Sequence, residues 1–531
     1  MKDLPITRRF AAASVLSTLI ALAVALCLAG DAIARDPAAP PRKAARAFVQ
    51  KKPARNLAAA VPSENPFAAN ARGANFGRGH ENRALPAARS PRAFSPTRVP
   101  ANYESRRAEH RAAIAAARGR LPPHPLPGER GFTGVPPPGE TRFVSNEMVF
   151  HVAPNVPRQR VDDVARKLGL STIGSQNFAL TGGTMFHFRV AQGRPVADAV
   201  RALEAEQIGV AQPNYVFKLQ QDASLAARTK TGELGQYVVN KLRLGEVHRI
   251  ATGSNVRVAV IDSEIDSRHP DLAGALLERF DAVGHPDQPH VHGTGMTGAI
   301  VAHRQLMGVA PAAKILAIHA FSPDAGESAQ ATTQHILAGI QWAIEKGVRV
   351  INMSFAGPYD PMLQLALKHA HEKGIVLIAA AGNLGPKSPP LYPAADPNVI
   401  AVTALDQNDG LFASANQGPH IAVAAPGVDI LEPAPNASYQ VTTGTSVAAA
   451  HVSGIAALMI ERDPSLDPKT VHEILTSSAK PLRGKARSDE FGWGLVDPAR
   501  ALLEVDVHAA YAARRKPTTP RPSQQGALSA R

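Results

Sequence analysis

Three short segments of this chain hold residue types suited to acyl transfer. Val258-Ala259-Val260-Ile261-Asp262 is an apolar, strand-like run ending in a carboxylate, and in open α/β sheets functional groups gather at the carboxyl ends of strands. His292-Gly293-Thr294-Gly295-Met296-Thr297-Gly298 puts an imidazole at the opening of an apolar helical run. The small residues after it let the ring and backbone come close to a partner. Gly444-Thr445-Ser446-Val447-Ala448-Ala449-Ala450-His451-Val452-Ser453-Gly454 sets a hydroxyl at a glycine-led entry to a helix, where unpaired N–H groups and the positive end of the helix dipole collect. An oxyanion formed by attack of that serine on a carbonyl would be stabilised there. Each segment alone also reads as ordinary structure: a turn or capping aspartate, a capping or packing histidine, a serine N-cap with Gly454 allowing close helix contact.

Taken together, in the order Asp, His, Ser, the three segments resemble the subtilisin-like (subtilase) family of serine peptidases, over about Tyr237 to Leu503. The resemblance implies that Asp262, His292 and Ser446 form a catalytic triad. Ala380-Ala381-Gly382-Asn383 resembles the segment that bears the family's oxyanion-hole asparagine, which implies Asn383 as that donor. Asn352-Met353-Ser354-Phe355 resembles the strand lining the substrate cleft. Ser354, Phe355, Ala356, Ala380, Ala381 and Gly382 are then the substrate-binding residues. Met307-Gly308-Val309-Ala310-Pro311 and Phe491-Gly492-Trp493-Gly494-Leu495-Val496-Asp497 are further family landmarks, and Tyr392-Pro393 falls where the family commonly has a cis peptide. What the resemblance implies is a serine endopeptidase that works through an acyl-enzyme on protein or peptide substrates, needs no cofactor and is made as a self-processed zymogen.

The chain also departs from the family pattern. Glu264 stands where glycine is usual, Gly295 where a second histidine is common, and Val447 and Ala450 where Met and Pro flank the nucleophile. Ala356 replaces a usual glycine and could narrow the main specificity pocket. The turn between His303 and Gly308 is too short for the family's inserted calcium loop, so no metal site is expected there.

The elements that must position these groups follow from hydrophobic patterning. Between residues 237 and 505, short β-branched runs (Val256 to Ile261, Lys314 to Ala320, Val348 to Asn352, Ile375 to Ala381, Val399 to Ala404) alternate with helical segments. Such runs are strands buried on both faces, so the fold class is a doubly wound, mostly parallel α/β sheet flanked by helices. Residues 143–222 read β-α-β-β-α-β, a small ferredoxin-like α+β unit with no concentration of nucleophiles, paired acids or metal ligands. The resemblance makes this unit an inhibitory propeptide, the enzyme's own partner, with residues near Leu219 in the cleft. Residues 223–236 are then a processing linker, and self-cleavage is expected between Lys218 and Gln236.

Charge is concentrated in one place. Of the 531 residues' net +14, Arg35 to Arg142 supplies +13, from 20 Lys or Arg against 7 Asp or Glu. This Ala/Pro/Arg-rich stretch reads as a disordered basic tail able to touch anionic surfaces weakly, with room for a short helix around Arg106 to Arg118. With no motif and few interleaved aromatics, nothing indicates nucleic acid. Lys2, Arg8 and Arg9 precede an apolar run from Phe10 to Gly30 and the small-x-small sequence Ala32-Ile33-Ala34. Residues 1–34 are thus a signal peptide or an uncleaved membrane anchor of an exported, secreted or periplasmic protein. The single cysteine, Cys27, lies inside that run. Residues 506–531 read as a second disordered tail. Two competing readings remain: a zinc site from His285, Asp287, His290 and His292, and a catalytically inert, membrane-tethered binding protein with a protease fold.

Overall fold

In the computed structural model, residues 99–122, 124–178, 182–219, 236–323, 329–484 and 486–515 are described. The expected signal or anchor segment, most of the basic tail, the expected processing linker up to residue 235 and the last residues all lie outside them. Among the described residues, no helix is long and apolar enough to cross a membrane.

Four antiparallel strands come first: β1 (Phe143–Val152), β2 (Leu170–Phe178), β3 (Gly183–Val190) and β4 (Gly209–Leu219). They stand in the order β2-β3-β1-β4. Helices Arg158–Lys167 and Val196–Ala205 connect them, and Val161, Val164, Val200 and Leu203 pack with Met148, Phe150, Phe186 and Phe188 in one small core. Strand β4 belongs to two units. Its first half pairs with β1 (Val152 opposite Gly209, Met148 opposite Pro213), and its last residues leave that sheet.

The larger unit contains β5 (Arg257–Ser263), β6 (Leu276–Asp281), β7 (Lys314–Phe321), β8 (Gln330–Thr332), β9 (Val350–Met353), β10 (Phe355–Ala356), β11 (Val376–Ala380), β12 (Val399–Leu405), β13 (Ile421–Pro426) and a hairpin, β14 (Ile430–Ala434) with β15 (Ser438–Thr442). Seven of these form one sheet, β13-β12-β11-β9-β5-β7-β6, and every pairing in it is parallel. The two-residue side-chain period divides β5 between two cores. Val258 and Val260 face helices Val291–Val301 and Thr445–Arg462, while Ala259 and Ile261 face helices Thr333–Glu345 and Pro361–Glu372. The expected doubly wound α/β architecture is therefore present. From β5 the chain goes first to the edge strand β6, returns as β7 between β6 and β5, and then resumes on the other side of β5 with β9. That reversal leaves a crevice at the carboxyl ends of β5 and β9.

Two expectations need correction. The basic stretch is not a disordered tail up to Arg142: the short helix allowed for around Arg106 to Arg118 is present as Tyr103–Arg118, and residues 124–142 run on to β1. Its Ala/Arg-rich sequence has high helix propensity, and tertiary partners supply the rest: Tyr103 and Ala117 are buried. At the other end, helix Pro498–Arg515 continues past residue 505, because an Ala-rich run follows Val505 with no breaker before Pro517.

Candidate active site

Asp262, the sixth residue of β5, is fully buried. Its Oδ1 accepts hydrogen bonds from the Ser263 amide at 2.7 Å and the Ser263 hydroxyl at 3.1 Å. The same oxygen lies 2.7 Å from His292 Nδ1. A carboxylate can only accept, so Nδ1 carries the proton and Nε2 is left as the basic nitrogen. His292 opens the helix Val291–Val301, where the His290 ring accepts from the His292 amide at 3.2 Å as the N-cap. The glycine after His292 is required by contact: a Cβ on Gly293 would lie 2.3 Å from the Ser263 carbonyl oxygen. Buried His292 Nε2 has no hydrogen-bond partner among the described residues.

Ser446 is the second residue of the helix Thr445–Arg462 and is fully buried. Its hydroxyl donates to the Ser354 carbonyl at 3.1 Å, and the Ser354 hydroxyl donates to the Ser446 carbonyl at 3.0 Å. Asn352 ties this pair to the helix body: its Nδ2 donates to Ser354 Oγ at 2.9 Å, and its Oδ1 accepts from Ser453 Oγ at 2.9 Å. Sequence reasoning gave Asn352 and Ser453 no role, although both lie inside the motifs it used. Asn383 Oδ1 accepts from the Thr445 amide at 3.1 Å and the Thr445 hydroxyl at 2.8 Å. The donors of the Asn383 side chain are thus its Nδ2 hydrogens, held in place by Thr445, the residue before Ser446. Gly382 makes this turn with φ 111°, and a Cβ there would meet Asn416 Nδ2 at 2.8 Å. Ala380 and Ala381 are fully buried behind it.

The cleft wall is occupied. β10 pairs antiparallel with the end of β4, Phe355 opposite Leu219 and Ala356 opposite Lys218. On the other side of β4, β8 pairs with it through Val216, Phe217 and Lys218. The buried Phe217 ring meets Phe355 edge-on at 5.9 Å. It also fills the space over Gly357, where a Cβ would lie 2.3 Å from it.

Several departures from the family pattern have local explanations. Glu264 is ion-paired with Arg279 and lies 3.7 Å from His319 Nδ1, so its charge is compensated. Asp271 Oδ1 accepts from the amides of Arg304, Gln305 and Leu306 at 2.6–3.2 Å, and its Oδ2 from Tyr439 Oη at 2.7 Å. That carboxylate ties down the short turn, together with Gln236, whose Oε1 accepts from the Met307 amide at 2.8 Å. Of the residues of the zinc reading, His292 binds Asp262 and His290 caps a helix, while Asp287 binds His319 and Ser322 and pairs with His285 at 3.2 Å. Among the described residues, no three potential ligands converge. The Tyr392–Pro393 peptide is cis.

The subtilase family profile matches residues 253–494. Thermitase of Thermoactinomyces vulgaris is 36% identical over 238 residues, 43% of this chain and 84% of that protein. Subtilisin E of Bacillus subtilis (strain 168) is 37% identical over 272 residues, 49% of this chain and 69% of that protein. The chain belongs to the subtilase family. Fervidolysin of Fervidobacterium pennivorans is 29% identical over 359 residues, covering 57% of this chain but only 51% of its own length. Its crystal structure, described as that of a keratinolytic enzyme related to subtilisin, superposes with a TM-score of 0.59 at 25% identity, over 72% of this chain and 64% of that one.

One feature of this subtilase was not foreseen from its sequence. Gly295 faces Glu432 of β14, whose Oε2 would lie 2.6 Å from an added Cβ. The glutamate fills the room left by a missing side chain. Glu432 is 1% exposed, and neither carboxyl oxygen has a hydrogen-bond partner of ordinary geometry among the described residues. Burial pushes its pKa up to about 8; the Thr442 hydroxyl opposes this and the Asp262 charge adds to it. A carboxyl whose folded pKa is raised is held neutral, so stability is lost as pH climbs from the unfolded value near 4.5 towards 8. Chemical denaturation of a non-cleaving chain is expected to show this slope, roughly 3–5 kcal/mol across that window. The Glu432→Gln variant should lack it, and parallel pH profiles for the two would contradict a buried neutral glutamate.

Proposed function

We propose that this subtilase is an exported serine endopeptidase made as a self-processed zymogen, with Asp262, His292 and Ser446 as its triad. In the reaction, Ser446 Oγ attacks the scissile carbonyl carbon and its proton passes to His292 Nε2. Asp262 keeps the imidazole in the reactive tautomer and stabilises the imidazolium. The carbonyl oxygen becomes an oxyanion facing Asn383 Nδ2 and the Ser446 amide. Collapse breaks the C–N bond, and His292 hands its proton to the departing amine. Water, deprotonated by His292, then attacks the acyl-enzyme and frees Ser446. In this structure the Ser446 hydroxyl donates to the Ser354 carbonyl, and attack requires it to turn towards His292 Nε2.

The observation carrying this reading is the end of β4, a strand lying between β8 and β10 as a peptide substrate would. Leu219, the last described residue of the strand, lies opposite Phe355, the neighbour of Ser354, whose carbonyl accepts from the Ser446 hydroxyl. The Gln220–Gln221 bond, outside the described residues, is thus the expected cut. Residues 143–219 act as the inhibitory propeptide and leave their carboxyl end in the cleft. Phe217 marks a subsite for a large apolar side chain, so substrates with one at the corresponding place should be cut fastest. Mass spectrometry of the purified chain after incubation tests the reading. A new N-terminus within a residue or two of Gln221 is expected; an uncut chain, or cleavage only at remote sites, would overturn it.

A further inference from the structure

Residues upstream of the inhibitory unit are docked on the peptidase far from its cleft. The helix Tyr103–Arg118 lies on helices Pro468–Ser478 and Pro498–Arg515. Arg107 forms an ion pair and a 3.1 Å Nε hydrogen bond with Glu473, which is only 5% exposed. Arg107 Nη1 also lies 2.8 Å from His508 Nδ1. The His110 ring packs on Trp493 at 4.2 Å and its Nε2 lies 2.8 Å from Thr476 Oγ1. Arg118 Nη2 donates to the Val399 carbonyl at 2.6 Å. Val399 begins β12, so this contact is at the amino-terminal edge of the sheet, opposite the edge that carries Asp262 and Ser446.

The chain then returns towards the inhibitory unit. The His124 ring stacks on Tyr359 at 4.0 Å, and Tyr359 Oη donates to the Pro125 carbonyl at 3.3 Å. Further on, the Gly134 amide donates to Glu204 at 2.6 Å, and a Cβ on Gly134 would lie 1.7 Å from the Ala211 carbonyl oxygen of β4. The Val216 amide of β4 donates to the Arg142 carbonyl at 2.9 Å. One continuous segment therefore grips both the back of the peptidase and the strand that enters the cleft.

We propose that residues 99–142 are a second anchor of the prosegment, and that the surface built by Glu473, Thr476, Trp493, His508 and the Val399 carbonyl is its docking site. This rests on the zymogen reading above. Once the bond after β4 is cut, the inhibitory unit is no longer covalently attached and could leave. A second grip joined by a short connection keeps its local concentration high, and such linkage raises retention about 10²–10⁴-fold over one contact alone. Self-cleavage and activation become separate events, and activity waits for the anchor to let go.

Two measurements on the full chain test this. In the Ser446→Ala chain, hydrogen exchange at residues 103–118 should be slow, and Arg107→Glu in that background should make it fast while residues 143–219 stay protected. Exchange at unstructured rates in the parent chain would overturn the docking whatever the catalytic outcome. In the active chain, the lag before a small peptide substrate is cut is compared for Arg107→Glu, Glu473→Arg and the pair combined. Each single reversal should shorten the lag at least about tenfold, with the freed prosegment no longer co-eluting, and the pair should restore wild-type behaviour. Arg118→Ala serves where Glu473→Arg does not fold. Self-cleavage followed by equally slow release in every variant overturns the anchor alone. A wild-type chain that never cuts itself overturns the zymogen reading and the anchor with it.

Discussion

Replacing Ser446 by alanine is expected to lower turnover about 10⁶-fold and to leave the full-length chain uncut. The reason is chemical. The neighbouring Thr445 hydroxyl is committed to Asn383 Oδ1, and the alanine variant keeps only binding and oxyanion stabilisation, which support a residual rate above water. The fold should survive, because the hydroxyl's hydrogen bond to the Ser354 carbonyl is worth only about 1 kcal/mol. To separate catalysis from processing, the variant should also be matured in trans by a trace of wild-type enzyme and then assayed. Turnover within tenfold of wild type in that preparation would remove Ser446 from the mechanism. A fluorophosphonate that labels the wild-type chain at Ser446 should leave the variant unlabelled.

Asp262→Asn is expected to cost about 10⁴-fold in kcat with little change in KM, the loss a wrong imidazole tautomer brings to such a triad. Asp262 Oδ1 accepts from His292 Nδ1 and from both the amide and the hydroxyl of Ser263. An asparagine carbonyl could keep the Ser263 bonds. It would carry no charge to stabilise imidazolium, and its amide, if turned to the ring, would donate to Nδ1 and move the proton to Nε2, where the base is needed. Because neither change touches the cleft wall at Phe355 and Ala356, substrate affinity should hold. Equal losses in kcat and in substrate binding would mean that the site had collapsed, and would leave Asp262 without the proposed role.

The catalytic candidates could be read from sequence because their constraints are local. Gly293 must be glycine since the chain passes within van der Waals contact of Ser263, and Gly382 because of its positive φ and the approach of Asn416. Five of the seven strands of the parallel sheet were visible as β-branched runs, since a strand covered on both faces has no polar side to interrupt it; β6, with Glu278 and Arg279, and β13 were not read. The hairpin β14–β15 was missed: its residues include Pro433, Pro435 and Asn436, which suggest loop. Its pairing, Ile430 with Thr442 through Ala434 with Ser438, is set by packing against the His292 helix.

Sequence alone determined which residues could carry the chemistry and the class of scaffold, because side-chain type, backbone freedom and hydrophobic period are properties of neighbouring residues. The tertiary structure decided what those elements meet. The last residues of β4 could have been any short strand until β8 and β10 closed around them. Glu432 became a buried neutral acid only by facing Gly295. An Ala/Arg-rich segment with the composition of a disordered tail became a docked helix because Glu473 and Trp493, more than 350 residues away, form its seat. Such contacts are set by complementarity between distant surfaces, and that appears in no local pattern.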